Sequence, residues 1–283
     1  MSDDWFEETL YPGIHSRMRI TEQLFQGDSE LQKLNLFENE RFGRVLTLDG
    51  VVQTTEKDEF IYHEMLTHVP LLAHGQARRV MVVGGGDGGM IEEALKHRSV
   101  EHVTLVEIDA GVIEFSKKYL GSICGAAFDD PRTNIVIADG LVHAETTADR
   151  FDVIIVDSTD PIGPGEALFS DRFYRACQRC LAPGGILVTQ NGVPFMQPEE
   201  LAKSVAAMRG LFSDAYCYTA AVPTYVGGCM AFGWATENAT LRHTDLPTLQ
   251  SRFDAAGIDT RYYTPAVHQA AFALPRYIGD LVA

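Results

Sequence analysis

The sequence predicts an α/β protein in which a doubly wound, mostly parallel sheet follows a small N-terminal antiparallel β-domain. An apolar strand runs into a glycine-rich turn and a helix at residues 79–95, and further apolar strands then alternate with helices. Near the N-terminus, the dipeptide Asp49-Gly50 stands between two apolar stretches. Continuous apolar strands are typical of buried parallel sheets, and Asp-Gly is typical of a two-residue hairpin turn. We therefore divide the chain into residues 1–57, the β-domain, and residues 58–283, the α/β domain.

The glycine-rich turn follows the strand Arg79–Gly84. Gly84, Gly86 and Gly89 match the pattern G-x-G-x-x-G, in which glycine permits a sharp turn and lets a ligand approach the backbone closely. The context favours a ligand site, although glycine-rich strand–helix turns also occur for packing reasons.

Residues 1–57 alternate partly between apolar and polar positions. This alternation predicts strands at Met18–Phe25, Leu34–Glu38 and Arg44–Gln53. Asp49-Gly50 divides the last stretch into a hairpin. The apolar spacing that follows predicts a helix from Asp58 to Leu72, with Pro70 near its end.

The regular alternation begins at residue 79. Further strands are predicted at 103–109, 134–140, 151–157, 186–190, 215–222 and 229–235, and helices at 110–119, 173–181 and 201–211. A turn at Pro183-Gly184-Gly185 is expected before the strand at 186–190. Acids follow four strands, at Asp87, at Glu107 with Asp109, at Asp139, and at Asp157 with Asp160. Because ligands of doubly wound sheets bind at the carboxyl ends of the strands, these acids mark the expected site. The aromatic, apolar tail Arg261–Pro275 is expected to pack against the domain.

Composition excludes several classes of protein. A net charge of −16 argues against a nucleic-acid partner and suits either a cationic substrate or simple solubility. No apolar run approaches the roughly 18 residues of a membrane span, and the acidic start lacks a signal-peptide pattern, so a cytoplasmic location is expected. The five scattered cysteines suit free thiols. His63 and His68 are five residues apart, which on a helix separates them by roughly 140°, so we expect no metal site.

The acids at the strand ends each have a functional and a structural interpretation. Glu107 stands where nucleotide-binding domains place a carboxylate against ribose hydroxyls. Asp139 suits an adenine amino group, or equally a helix N-cap. Asp157 and Asp160 could attract ammonium groups, and their mutual repulsion would make one of them a better proton acceptor than a free Asp. Capping of the turn before Pro161 explains the same pair equally well.

Together, several segments resemble the polyamine aminopropyltransferase family over nearly the whole chain. The resemblance is carried by Leu48–Glu56, Asp58–Met65, Gly84–Gly89, Asp157–Pro164, Pro223–Tyr225 and the tail Arg261–Pro275. It implies transfer of an aminopropyl group from decarboxylated S-adenosylmethionine, a co-substrate, to putrescine, which yields spermidine and 5′-methylthioadenosine. It also implies a Rossmann-like domain of the S-adenosylmethionine methyltransferase type, no cofactor, and a homodimer or homotetramer.

The resemblance assigns site residues by motif position. Those expected to hold the nucleoside donor are Gln32, Gly84, Gly86, Asp87, Glu107, Asp139, Gly140 and Pro164. Those expected to line the amine site are Tyr62, His63, Asp87, Asp157, Asp160, Gln190 and Tyr225. Asp157 corresponds to the family's proton acceptor, helped by Tyr62 and Asp160.

This assignment gives a complete reaction. Asp157 takes a proton from one ammonium of putrescine, and the freed amine attacks the propyl carbon next to the sulfonium. The leaving group is a neutral thioether, so the step needs neither a general acid nor a metal. Asp87 would repel the carboxylate of intact S-adenosylmethionine and so select the decarboxylated donor.

Three other functions remain open from the residues. An amine methyltransferase would use the same scaffold but conflicts with Asp87. A nicotinamide oxidoreductase explains the glycine turn and Glu107 but gives no role to Asp139 or Asp157. A non-catalytic polyamine-binding protein would bind amines without turnover. The fold does not decide among them.

Overall fold

The computed structural model describes residues 4–29, 31–159 and 163–283. In the N-terminal part, β1 (Trp5–Glu8) pairs with β2 (Ser16–Arg19) in a small antiparallel sheet. A second antiparallel sheet is a meander of β3 (Glu22–Asp28), β4 (Lys33–Asn39), β5 (Gly43–Leu48) and β6 (Val51–Thr55). The predicted N-terminal antiparallel module is thus confirmed.

The hairpin between β5 and β6 turns at Asp49-Gly50. Both residues are left-handed, with φ of 50° and 83°, as a type I′ turn requires. Leu48 pairs directly with Val51 across the turn, so the predicted hairpin is confirmed.

The single strand predicted at Met18–Phe25 is wrong, because the chain passes from one sheet to the other in the middle of it. Ile20 donates its N–H to the Asp4 carbonyl at 2.9 Å, and Thr21 donates its N–H to the Glu38 carbonyl at 2.9 Å. These two bonds tie neighbouring residues to different sheets and separate β2 from β3.

The α/β domain is built on a seven-stranded sheet in the described part of the chain, with the order β12-β13-β11-β10-β7-β8-β9. The strands are β7 (Arg79–Gly84), β8 (His102–Glu107), β9 (Thr133–Ile137), β10 (Phe151–Asp157), β11 (Leu181–Gln190), β12 (Asp214–Ala220) and β13 (Met230–Thr236). The strands from β11 to β9 are parallel, whereas β13 runs antiparallel to both β11 and β12.

Helices cover both faces of this sheet. They are α1 (Glu59–His74), α2 (Gly89–Lys96), α3 (Ala110–Tyr119), α4 (Gly121–Cys124), α5 (Gly140–Thr146), α6 (Asp171–Cys180), α7 (Pro198–Arg209), α8 (Leu246–Ala256), α9 (Pro265–Ala271) and α10 (Arg276–Leu281), with 3₁₀ helices at Ala127–Asp129, Gly163–Phe169 and Leu241–His243. The predicted helices and strands of this domain are present, with ends that differ by a few residues. Among the described residues, no helix is long and apolar enough to cross a membrane.

The turn expected at Pro183-Gly184-Gly185 lies instead within β11. Phe151 of β10 pairs with Leu181, and Val153 pairs with Ile186, so three extra residues of β11 are accommodated in an irregularity of the ladder. Gly184 takes a left-handed φ of 79° there. The strand therefore begins before the glycines, where local sequence indicates a break.

The strand periodicity builds two hydrophobic cores. Val80 and Val82 of β7 belong to the core on the α1 side, and Met81 and Val83 belong to the opposite core, as alternation along a strand requires. The tail joins the α1 side: the Glu64 carboxylate accepts the N–H groups of residues 261–263 at 2.7, 2.8 and 2.7 Å. The predicted packing of the tail is confirmed.

The N-terminal meander lies beside the carboxyl ends of β7 and β8. A buried cluster joins Leu34, Leu36 and Leu46 to Val112 and Phe115 of α3. The β-domain therefore packs against α3, the helix that follows β8. The predicted boundary between residues 57 and 58 falls in the turn between β6 and α1 and stays a prediction.

Candidate active site

A cavity of about 980 Å³ opens beside the glycine turn; we call it the glycine-loop chamber. Seven of the residues predicted to hold the nucleoside line it: Gln32, Gly84, Gly86, Asp87, Glu107, Asp139 and Gly140. Ile108 and Leu168 add apolar surface. The carboxyl ends of β7, β8 and β10 thus bring together side chains that lie far apart in the sequence.

The glycines of the turn are required by close packing. A Cβ on Gly84 would lie 2.0 Å from the Asp157 carbonyl oxygen, and a Cβ on Gly86 would lie 2.9 Å from Glu107 Oε2. Gly84 also takes a left-handed φ of 80°. The turn therefore nests between the ends of β8 and β10, and both acids stand directly against its backbone.

Glu107 is almost fully buried, with 8% of its surface exposed. It accepts the Asp109 N–H at 2.9 Å through Oε1. Burial raises the pKa of Glu107 to about 7 despite this bond. The carboxyl group therefore exchanges between its two protonation states near neutral pH, and either state can bond a sugar hydroxyl.

Asp139 serves as a helix N-cap. Its Oδ1 accepts the Val142 N–H at 3.0 Å at the start of α5, so the structural interpretation offered by the sequence is correct. The same side chain lines the glycine-loop chamber. A Cβ on the neighbouring Gly140 would lie 2.4 Å from Val83 Cγ1, which explains the glycine there.

A second cavity, of about 610 Å³, adjoins the first, and we call it the Tyr225 chamber. Both chambers are lined by Gln53, Tyr62, Asp157, Ser158 and Thr159. The Tyr62 hydroxyl donates to Asp157 Oδ1 at 2.6 Å. This hydrogen-bonded pair therefore lies at the junction of the two chambers.

The environment of Asp157 makes it an unusually basic carboxylate. Burial and then the charge of Asp87 raise its pKa from 3.8 to about 6, against the opposing effects of His63 and the Tyr62 hydroxyl. Burial and the nearby Asp157 raise the pKa of Tyr62 well above its usual value. At neutral pH the pair is therefore an ionised carboxylate held by a neutral phenol.

His63 and Asp87 form the neighbouring ion pair. His63 Nε2 lies 3.4 Å from Asp87 Oδ2, and Nδ1 lies 2.7 Å from Glu59 Oε2. Burial lowers the pKa of His63, but the carboxylates of Asp87 and Glu59 raise it and hold it well above its usual value. Burial likewise opposes a low pKa at Asp87, but His63 and the Gly89 N–H keep it below its usual value.

A cluster of three side chains has the spacing of a cation site. His63, Asp87 and Asp157 each contribute one nitrogen or carboxylate oxygen, and these three atoms lie within 4.8 Å of one another. A metal ion would need His63 in its neutral form, whereas the two flanking carboxylates favour the imidazolium. The positively charged ring therefore disfavours a metal ion in this cluster.

Gln190 and Tyr225 lie in the Tyr225 chamber. Gln190 donates its side-chain N–H to the Ser158 carbonyl at 3.1 Å, and Tyr225 donates its hydroxyl to the Gln53 carbonyl at 2.5 Å. The loop that carries Tyr225 is fastened by Thr224, which donates its N–H and hydroxyl to the Asp58 carboxylate at 2.7 and 2.6 Å. The start of α1 thus positions this side of the chamber.

The sequence missed other residues of the Tyr225 chamber. Glu8, Tyr11, Gln53, Gln197 and Thr224 also line it. Glu8 belongs to β1 and accepts the Val52 N–H at 2.8 Å. No local pattern distinguishes Glu8 from its acidic neighbours. The predicted Asp160 lies outside the described residues, as does the side chain of Pro164.

The fold and the site define a class of protein: a Rossmann-like α/β domain in which a chamber beside the glycine turn adjoins a second chamber, and Asp157 lines both. Comparison with protein families then identifies the family. Residues 59–245 match the "Spermine/spermidine synthase domain" and residues 4–56 match the "Spermidine synthase tetramerisation domain". The chain belongs to this family, the polyamine aminopropyltransferases.

Named relatives agree with this identification. The chain is 59% identical over 277 residues to a polyamine aminopropyltransferase from Ruegeria sp., covering 98% of both chains. It is 53% identical over 278 residues to that of Escherichia coli O157:H7, covering 98% of this chain and 96% of the relative.

Two solved structures share the fold. A spermidine synthase in complex with the transition-state analogue AdoDATO superimposes with a TM-score of 0.94 at 36% identity, covering 100% of this chain and 96% of the other. The spermidine synthase from Thermotoga maritima gives 0.91 at 34% identity, covering 100% and 95%. The predicted family and fold class are confirmed.

Proposed function

We propose that this chain transfers the aminopropyl group of decarboxylated S-adenosylmethionine to putrescine and releases spermidine and 5′-methylthioadenosine. The observation that carries this proposal is the position of Asp157. It lies where the two chambers meet, hydrogen-bonded to Tyr62 at 2.6 Å. A base at that junction reaches an amine in one chamber and a sulfonium-linked carbon in the other.

The donor occupies the glycine-loop chamber. Glu107 accepts the ribose hydroxyls, and the adenine ring packs against Ile108 and Leu168, which line the same cavity. Asp139 and Gln32 provide polar atoms at its edge. The aminopropyl arm then extends past the turn toward Asp87 and Asp157.

Asp157 acts as the general base. Its ionised carboxylate takes a proton from one ammonium of putrescine, and the lone pair of the freed amine attacks the propyl carbon. A C–N bond forms as the C–S bond breaks, and the bonding pair stays on sulfur as a neutral thioether. The attacking nitrogen becomes a positively charged secondary ammonium as the sulfonium loses its charge, and each turnover releases one proton through Asp157.

The far ammonium of putrescine is held by Glu8. This carboxylate lines the Tyr225 chamber together with Gln197 and Tyr225, on the side supplied by the N-terminal β-domain. A carboxylate there favours a diamine over a monoamine, because it can form a charge-assisted hydrogen bond with the second ammonium, which a monoamine lacks.

Asp87 selects the donor. It lies on the glycine turn beside His63 and close to Asp157, where the amino-acid end of intact S-adenosylmethionine would place its carboxylate. The decarboxylated donor presents only an ammonium there. Repulsion of the wrong donor is a common source of specificity.

Oligomer formation belongs to the proposal as well. Residues 4–56 match a tetramerisation domain, and we infer a homodimer or homotetramer acting in the cytoplasm. Light scattering on the purified protein would measure the assembly directly. A monomer at micromolar concentration would contradict this part of the proposal.

A product assay tests the function. The protein is incubated with putrescine and either decarboxylated or intact S-adenosylmethionine, with Asp157→Asn as the matched control, and products are identified by mass spectrometry. Spermidine and 5′-methylthioadenosine, formed only from the decarboxylated donor, are expected. Methylated putrescine with S-adenosylhomocysteine would replace the proposal by an amine methyltransferase. Binding of amines without any product would favour a binding protein.

A further inference from the structure

The His63 ring lies between the carboxylates of Glu59 and Asp87. It is buried, with 2% of its surface exposed, and it packs so closely on the start of α2 that a Cβ on Gly89 would lie 2.2 Å from its Cε1. Nδ1 lies 2.7 Å from Glu59 Oε2 and Nε2 lies 3.4 Å from Asp87 Oδ2. A neutral imidazole has one N–H, so only the imidazolium can donate to both.

Glu59 contacts His63 from outside the glycine-loop chamber and the Tyr225 chamber. Glu59 is not one of the described residues that line either chamber. It lines a groove with Phe60, Glu92 and Arg261 and also a small pocket beside Tyr62 and Tyr225, and 13% of its side chain is exposed. As the first residue of α1 it could also serve only as a favourable charge at a helix start, but its carboxylate is aimed at the ring one turn along the helix.

We propose that Glu59 is a positioning residue for the reaction: by holding His63 as an imidazolium against Asp87, it fixes a positive charge beside the proton acceptor Asp157. This inference rests on the function proposed above. His63 and Asp157 contribute atoms to the same 4.8 Å cluster, so a positive charge on the ring stabilises the ionised carboxylate of Asp157.

The pH dependence follows from the groups around the ring. Glu59 faces it from its own helix, Asp87 from the glycine turn, and Asp157 from the end of β10, while Glu92 on α2 influences Glu59 from the groove side. Burial disfavours the imidazolium, whereas Asp87 and Glu59 both favour it. Removing the charge of Glu59 therefore lowers the pKa of His63. Once the ring loses its proton, the pKa of Asp157 rises because the nearby cation is lost.

Substitutions at Glu59 separate this role from that of a helix charge. Glu59→Gln removes the charge and keeps the size. Glu59→Asp keeps a negative charge at the helix start but shortens its reach to the ring. Glu92→Gln is the matched control, since Glu92 lines the same groove and pairs with Lys96 at 3.1 Å.

The first readout is independent of catalysis. Nitrogen-15 NMR of the histidine rings in the ligand-free protein reports the protonation of His63, whose signals are identified by their loss in His63→Gln. The wild type and Glu92→Gln are expected to keep both ring nitrogens protonated from pH 6 to 8. Both Glu59 variants are expected to show a neutral ring at pH 8. A neutral ring in the wild type, or an imidazolium in folded Glu59→Gln, would overturn the proposal.

The second readout is the pH profile of kcat/KM, which reports the pKa of the base in the free enzyme. The acid limb is expected to move upward by about 1 pH unit in Glu59→Gln and in Glu59→Asp. No further shift is expected when Glu59→Gln is added to His63→Gln, because the effect passes through the ring. An unchanged limb, or additive shifts, would refute the link to Asp157. Absence of transfer by the wild type would overturn the proposed function itself, while the NMR result would still decide the charge of His63.

Discussion

Replacing Asp157 by Asn removes the proposed proton acceptor while leaving an oxygen that can still accept the Tyr62 hydroxyl. The structure sets the scale of the effect. The pKa of Asp157 is raised from 3.8 to about 6 by burial and by Asp87. This difference of roughly 2 units corresponds to about 3 kcal/mol, or ~10²-fold, in the proportion of substrate amine that the base can free.

Loss of Asp157 removes the gain from its raised pKa, and it also removes the proton acceptor itself. An aliphatic ammonium has a pKa of about 10, so even Asp157 accepts its proton uphill, and asparagine cannot accept it at all. We expect kcat of Asp157→Asn to fall by about 10²–10⁴-fold, the usual range for a general base. In the wild type, kcat/KM should fall about tenfold for each pH unit below pH 6, where the carboxylate of the free enzyme becomes protonated.

The assay is the release of 5′-methylthioadenosine in single-turnover experiments, which separate chemistry from product release. Thermal unfolding and binding of 5′-methylthioadenosine serve as controls for folding and for the donor site. A variant that folds, binds the nucleoside and retains more than about a tenth of the wild-type rate would refute the role of Asp157 as base.

Three further substitutions test other parts of the site and the fold. Asp87→Asn should improve the affinity for intact S-adenosylmethionine relative to the decarboxylated donor by about tenfold, measured by calorimetry, and an unchanged ratio would remove Asp87 from donor selection. Glu8→Gln should raise KM for putrescine by about 10–100-fold while changing KM for butylamine little, and equal effects on both amines would show that Glu8 does not hold the far ammonium. Glu64→Gln should lower the free energy of unfolding by about 2–4 kcal/mol in urea titrations, because the carboxylate accepts three N–H groups of the tail; an unchanged midpoint would contradict that anchoring.

The parts of the fold that the sequence predicts are those set by local chemistry. Asp49-Gly50 forms its turn because both residues tolerate left-handed dihedrals. The parallel strands are recognisable because both of their faces are buried, and this burial demands continuous apolar runs. The acids at their ends then fall at one edge of the sheet by topology alone, which is why Glu107, Asp139 and Asp157 could be placed together before any coordinates.

The errors have a different origin. Ile20 and Thr21 separate β2 from β3 through bonds to Asp4 and Glu38, which lie far away in the sequence. The strand β11 runs through Pro183-Gly184-Gly185 because pairing with β10 outweighs the local preference for a turn. Glu8 and Glu59 were missed for the same reason, since each acquires its role only from what tertiary packing places beside it.

The site also explains why the two parts of the chain depend on one another. The α/β domain supplies Asp87 and Asp157 at its strand ends, but the Tyr225 chamber, the proposed amine site, has a wall from the β-domain, which contributes Glu8 and Gln53. In the proposed reaction the diammonium substrate meets a carboxylate at each end, and the two carboxylates come from different domains. We therefore expect discrimination of chain length in the acceptor to depend on how the β-domain docks on the α/β domain, and we expect changes at that contact to alter acceptor choice before they alter donor binding.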